Sequence, residues 1–165
     1  MDEKLEQALN DQIALEQASA RAYRQLAVWA DGHDYAGSVG WLTSQADEED
    51  EHAAMFVQHV LDRDGAVLLQ ALPAPDSEFA SLTDVFRAAL SHEQRVTAAI
   101  GDLYALADEL REYRSLPLLS RFLEEQIEEE SSVRTIVAEL DRVSDSPTAT
   151  MFVDRELPGR RAADA

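Results

Sequence analysis

The sequence predicts an all-α fold, a bundle of four long helices with one long crossover between the second and the third and a short fifth helix at the C-terminus. Three observations predict it. Glycine and proline are scarce, six and five in 165 residues, while 45% of the chain is hydrophobic, a composition of helix formers with enough apolar surface for one filled core. Apolar residues recur at spacings of three and four through four stretches of about 28 residues each, the period of an amphipathic helix. A single connection between these stretches is long and proline-bearing, so one domain over residues 1–165 is expected, with a topology set by that connection.

The first helix is expected at about 4–31, closed by Gly32-His33-Asp34, and the second at about 35–64, followed by Gly65. The third is expected at about 81–110, with Ser81 as its cap and Asp84 three residues on, and the fourth at about 116–143, opened by Ser115 and Pro117. These are the residue types that start and stop helices. The short first and third joints make antiparallel neighbours. Between the second and third helices about 15 residues intervene, including Leu72-Pro73-Ala74-Pro75-Asp76. Extended, they reach about 50 Å against about 42 Å for a 28-residue helix, enough to run the length of the bundle and set the third helix parallel to the second. After Ser144-Asp145-Ser146-Pro147 a short amphipathic helix is expected at about 148–157, stopped by Pro158-Gly159 and followed by a mobile tail.

Charge narrows the function. The formal net charge is −19, from 33 acids against 14 bases, which repels nucleic acid and anionic membranes and concentrates cations. The absence of cysteine excludes disulfides, thiolate zinc sites and iron–sulfur clusters, so any metal must sit on oxygen and imidazole. The start, Met1-Asp2-Glu3-Lys4, is acidic where a signal peptide is basic, and no apolar run approaches the roughly 20 residues that span a bilayer. A cytoplasmic protein is expected.

The seams of the helices carry the chemistry. Along the third, Phe86, Ala89, Val96 and Ile100 share a stripe interrupted by one acid, Glu93; along the fourth, Phe122, Val133 and Ile136 share one interrupted by Gln126 and Glu129. The second places Glu49 and His52 between Ala46 and Phe56, and the first places Glu16 in line with Ala20 and Tyr23. Each of the four acids lies about 12 to 17 residues from either end of its helix, so all four converge at one level whichever way a helix runs. Four carboxylates in an apolar core are untenable unless cations or protons neutralise them. Two divalent metals cancel four carboxylates, and Glu49-x-x-His52 sets an imidazole one turn from a carboxylate on the same face. Oxygen ligands with one imidazole suit iron or manganese better than copper.

A lone Glu-x-x-His in a charged helix is ordinarily a solvated coincidence; its seam position and the matching acids on three other helices give it weight. Tyr23 and Gln126 lie beside the acids, either as a core aromatic and a buried amide or as groups that orient the ligands. The acidic runs 47–51 and 124–130 are for the most part solvated faces, although such a face lining a closed shell could bind ferric ions. His33, His59 and His92 have no acid at the right spacing and level, and are read as structural or surface residues.

These residues, Leu9-Asn10-x5-Glu16-x6-Tyr23, Glu48-Glu49-x-x-His52, Glu93, Glu125-Gln126-x-Glu128-Glu129 and Met151-Phe-Val-Asp-Arg-Glu-Leu157, resemble the bacterial non-haem ferritins over nearly the whole chain. The resemblance implies a ferritin-like bundle in which Glu16, Glu49 and His52 hold one ferroxidase iron and Glu49 bridges to a second held by Glu93 and Glu129. It places Tyr23 beside the first iron and Gln126 beside the second. It implies a third, inner iron site at Glu48, Glu125 and Glu128 with Glu129 shared. It further implies Fe(II) oxidation by O2 or H2O2, storage as a ferric mineral, and a homo-oligomeric shell of 24 subunits with the C-terminal helices at its fourfold axes. Haem is not expected: Gln126-x-x-Glu129 stands where bacterioferritin has a second Glu-x-x-His, and Asp50 stands where its haem-ligating Met would be. Arg121 occupies a position where some ferritins place an acid lining a threefold entry channel, with Glu124 one turn on.

Two other functions are open to the same residues. A di-iron or di-manganese oxidase that never stores metal needs the same centre and no shell. A structural acidic bundle needs seam polars only to fix register, for which four matched acids are far more than enough.

Overall fold

The computed structural model describes residues 1–164. Five helices follow one another: α1 (Glu3–Asp31), α2 (Ala36–Leu61), α3 (Leu82–Glu109), α4 (Leu116–Val143) and α5 (Pro147–Asp164). No helix is long and apolar enough to cross a membrane among the described residues.

Local chemistry fixes most of the ends. Asp2 caps α1 by accepting from the Lys4 N–H at 2.8 Å, and Ser81 caps α3, its Oγ accepting from the Asp84 N–H at 3.1 Å. Ser115, expected to open α4, makes no cap; its buried hydroxyl bonds instead to His59 at 3.0 Å and to Arg63 at 2.9 Å, while Pro117 pre-sets the first turn. The glycines expected to end α1 and α2 are not the left-handed residues. Asp34, Asp64 and Arg111 adopt positive φ, and the N–H after each reaches back five residues to Ala30, Val60 and Ala107, closing three helices with the same motif. Gly65 is closely packed: a Cβ there would come within 2.8 Å of Glu6 Oε2 and of Met1 Cε and 2.9 Å of Val60 Cγ1, so these side chains would have to shift.

The crossover runs the length of α1. At one end the buried Asn10 amide donates to the Ala66 carbonyl at 2.9 Å and accepts from the Leu68 N–H at 2.7 Å. At the other, Phe79 meets Trp29 edge-on with centroids 6.2 Å apart. Residues 66 to 79 thus travel from Asn10 to Trp29, and α3 begins at the end of the bundle where α2 begins. The helices are therefore paired α1 against α2 and α3 against α4, with α3 parallel to α2, as the length of the connection requires.

Two apolar clusters fill the bundle. One, near the α2 start, includes Leu26, Trp41, Phe86, Ile136 and Leu140; the other, near the α2 end, includes Leu5, Leu9, Phe56, Ile100 and Phe122. Between them lies a layer of buried polar residues.

The fifth helix departs from expectation. It does not stop at Pro158-Gly159 but continues to Asp164, so the tail expected after Leu157 is helical; Ala165, the last residue of the expected domain, lies outside the described residues. Proline inside a helix removes the bond to the carbonyl four residues back, here that of Asp154. That carbonyl packs on Gly37 of α2 so closely that a Cβ at Gly37 would fall 1.8 Å from it. The same Asp154 closes the start of α2, its carboxylate accepting from the Gly37 N–H at 3.1 Å, the Ser38 N–H at 2.7 Å and the Ser38 hydroxyl at 2.6 Å. Leu157 is fully buried in the neighbouring cluster, whereas Met151 and Phe152 are exposed.

Candidate metal centre

The polar layer assembles from one residue per turn on each helix. Glu16 of α1, Glu49 and His52 of α2, Glu93 of α3 and Gln126 of α4 are all buried, because each falls on the seam its helix must bury. The antiparallel pairing of α1 and α2 brings Glu16 to the level of Glu49 and His52. One ligand atom from each of these three lies within 4.8 Å of the others. His52 Nδ1 is 3.7 Å from Glu49 Oε2, and its ring stands edge-on to Phe122 at 5.1 Å between centroids.

The oxygens divide into held and unheld. Glu16 Oε1 accepts from the Gln12 amide at 2.7 Å, while Glu16 Oε2 and Glu49 Oε2 are buried without a hydrogen-bond partner. Glu93 is held on both sides: the Tyr23 hydroxyl donates to its Oε1, and the Gln126 amide nitrogen donates to its Oε2 and to its backbone carbonyl, both at 3.2 Å.

Burial pushes the Glu16 carboxyl well above the ordinary carboxylate range, and the neighbouring Glu49 adds to the effect. Glu49 is likewise raised well above that range by burial, then by the charge of Glu93. Burial also raises Glu93, opposed by the hydrogen bonds from Tyr23 and Gln126. The Tyr23 phenol is driven up by burial and by Glu93. Such groups favour protonation until a cation takes the proton's place.

The remaining expected residues fall around this centre. Glu129 is half-buried, and its charge bears on both Glu49 and Tyr23. Glu48 is half-buried, accepts from Gln45 at 2.9 Å and raises Glu49 and Glu93. Glu125 is half-buried and paired with Arg121 at 3.0 Å, with one oxygen buried and unpartnered, and Glu128 is exposed. Tyr23, placed by the resemblance beside the first iron, makes its hydrogen bond to Glu93. The three other histidines stand apart: His33 stacks on Trp29 at 3.8 Å, His59 bonds to Ser115, and His92 bonds to Arg95. Gln12 was not singled out from the sequence, although its position four residues before Glu16, on the same face, is a signal for it.

Fold and centre define a class, a four-helix bundle with one crossover that gathers helix-borne carboxylates and an imidazole at mid-height. The comparisons agree. Residues 6–143 match the family model described as the ferritin-like domain. The chain is 33% identical over 160 residues to the bacterial non-heme ferritins of Staphylococcus saprophyticus and Staphylococcus aureus, covering 97% of this chain and 96% of each relative. An open-pore ferritin of the hyperthermophilic archaeon Archaeoglobus fulgidus superposes with a TM-score of 0.93 at 34% identity, covering 95% of this chain and 97% of that one. The chain belongs to the bacterial non-haem ferritin family. Membership and the Glu16–Glu49–His52 cluster together support a general iron-oxidising function.

Proposed function

We propose that the chain is a ferroxidase that oxidises Fe(II) at a dinuclear centre and stores the product as a ferric mineral inside a homo-oligomeric shell of 24 subunits. The observation that carries the reading is the Glu16–Glu49–His52 cluster, which sets two buried carboxylates and an imidazole against one another and leaves Glu16 Oε2 and Glu49 Oε2 without a hydrogen-bond donor. Such oxygens are costly unless a cation or a proton meets them.

In this reading iron is the substrate. One Fe(II) binds Glu16, Glu49 and His52; Glu49 bridges to a second held by Glu93 and Glu129, with Gln126 beside it. Each Fe(II) gives up one electron. O2 takes the pair and, with two protons, leaves as H2O2; alternatively H2O2 takes the pair and, with two protons, leaves as two waters. The protein supplies ligands, geometry and a dry surround. Tyr23 and Gln126 orient Glu93, and Gln12 orients Glu16. Glu48, Glu125 and Glu128, with Glu129 shared, form the inner acidic site through which ferric ions pass toward the mineral.

The test is an anaerobic Fe(II) titration followed by O2 admission. Two Fe(II) bound per chain and rapid oxidation of both are expected; one or none bound would remove the dinuclear reading. Sedimentation separates storage from oxidation alone, since a non-storing oxidase needs no shell.

A further inference from the structure

Glu130, one residue beyond the last seam acid of α4, and Thr97, one turn beyond Glu93 on α3, have no part in the reading so far. Their hydrogen bonds lead directly into it. Thr97 Oγ1 donates across the α3–α4 interface to Glu130 Oε1 at 2.8 Å, and Glu130 Oε2 accepts from Arg134 at 2.8 Å. Thr97 Oγ1 accepts in turn from the Gln126 amide nitrogen at 3.2 Å, the same nitrogen that donates to Glu93.

The chain has one polarity. Arg134 only donates, and the Glu130 carboxylate only accepts, so the Thr97 hydroxyl points its proton at Glu130 and offers its lone pair to Gln126. The Glu93 backbone carbonyl is likewise an acceptor, which requires the nitrogen end of the Gln126 amide on that side. Two N–H groups thus serve three acceptors, all at 3.2 Å. One acceptor can leave the set without stranding the amide.

We propose that Thr97 and Glu130 are positioning residues for the second metal of the centre. When Glu93 turns an oxygen to that metal, Gln126 loses one partner; Thr97, pinned by Glu130, retains the amide nitrogen and keeps the amide carbonyl from swinging into a layer of carboxylates. The second metal is therefore bound at lower cost than it would be beside a free amide. The inference rests on the two-metal reading above.

Stepwise Zn(II) titration calorimetry tests it without relying on oxidation. Thr97→Val keeps the side chain's shape and removes the hydroxyl. It is expected to weaken the second Zn(II) by about 10-fold, the scale on which groups that orient metal ligands act, and to leave the first unchanged. Thr97→Ser should restore the second step, and Glu130→Leu should reproduce Thr97→Val, while Glu130→Gln, which still offers an oxygen to the hydroxyl, should stay near wild type. Thr135→Val, at an exposed threonine of α4, is the control. Unchanged affinities in Thr97→Val, equal weakening of both steps, or failure of Thr97→Ser to restore the second would overturn the proposal, as would a wild-type chain that takes only one Zn(II). A wild type that binds two Zn(II) yet fails to oxidise Fe(II) would end the ferroxidase reading and leave the Thr97 series decisive on its own.

Discussion

His52 Nδ1 stands 3.7 Å from Glu49 Oε2, too far for a hydrogen bond and well placed to share a cation. Two ligands on one first-row metal, each about 2.1 Å from it, lie roughly 3 to 4 Å apart. One turn of α2 supplies both, and α1 brings the Glu16 carboxylate to the same place. Burial and then the charge of Glu93 raise the Glu49 pKa, and in the proposed two-metal reading Glu49 is the carboxylate that would serve both metals.

That position separates the expected effects of two substitutions. Loss of a group that merely orients a ligand costs about 10- to 100-fold in affinity or activity, and loss of a carboxylate serving both metals should cost more. Glu49→Ala should abolish the rapid phase of Fe(II) oxidation, whereas Glu16→Ala should leave a measurable residue from the intact second half. Stopped-flow absorbance gives both rates, and equal residual rates would count against a bridge.

The raised carboxyls set the pH dependence of the metal-free protein. Burial holds Glu16, Glu49 and Glu93 above the ordinary carboxylate value, so above that value the folded chain binds more protons than the unfolded one. Their contribution to stability is full below the unfolded pKa and is lost as pH rises through the folded values. The melting temperature without metal should therefore fall from pH 5 to pH 8, and the rise produced by saturating Zn(II) should grow over the same range as metal replaces protons. Glu49→Gln should flatten the first trend and shrink the second. Calorimetry showing no Zn(II) shift at pH 8 would remove the metal site.

The Tyr23 hydroxyl offers a complementary measurement. It donates to Glu93 in a fully buried setting, and a hydrogen bond contributes about 1 kcal/mol with a neutral partner and about 1.5 to 3 kcal/mol with a charged one. Tyr23→Phe should lower metal-free stability by about 1 kcal/mol, since burial favours the protonated Glu93 there, and should cost more when Zn(II) is bound and holds Glu93 as the carboxylate. Urea unfolding with and without Zn(II) checks it; equal losses in the two states would show that Tyr23 acts through packing alone.

Much of this is legible in the sequence. The α4 bounds match the expected 116–143 because Pro117 and the seam mark them, and the crossover's length dictates the parallel placement of α3. Glu16, Glu49, His52, Glu93 and Gln126 stood out because a polar residue among apolar ones at seam spacing is rare, and burial follows from the seam. Contacts between helices were not legible. Thr97 is an ordinary residue one turn from an acid, and only the packing of α3 on α4 gives it its partners. Exposed acids such as Glu128 and half-buried ones such as Glu125 look alike in a charged run. Pro158-Gly159 read as a stop because local propensity says so, and a tertiary contact at Gly37 overrode it.

That contact carries the last prediction. The Asp154 carboxylate bonds to Gly37 and Ser38, and its backbone carbonyl lies where a Gly37 side chain would be; Leu157, one turn on, is buried against the bundle. Docking of α5 therefore combines a helix cap, about 1 kcal/mol, with burial of one leucine, about 2 kcal/mol. An 18-residue helix with a mid-helix proline cannot persist on its own. Gly37→Ala should expel Asp154 and undock α5, and deletion of residues 148–165 should have the same consequence. Both should keep the four-helix fold and the first Zn(II) site, since Glu16, Glu49 and His52 lie in the middle of α1 and α2. If the shell is held in part by α5, whose Met151 and Phe152 remain exposed in the single chain, both variants should oxidise Fe(II) yet assemble weakly and retain little iron. Analytical ultracentrifugation with parallel iron-retention assays distinguishes the outcomes. Intact assemblies in both variants would free α5 from any role in the shell, and a full-length chain that sediments only as a monomer or dimer would remove the storage reading and leave the oxidase.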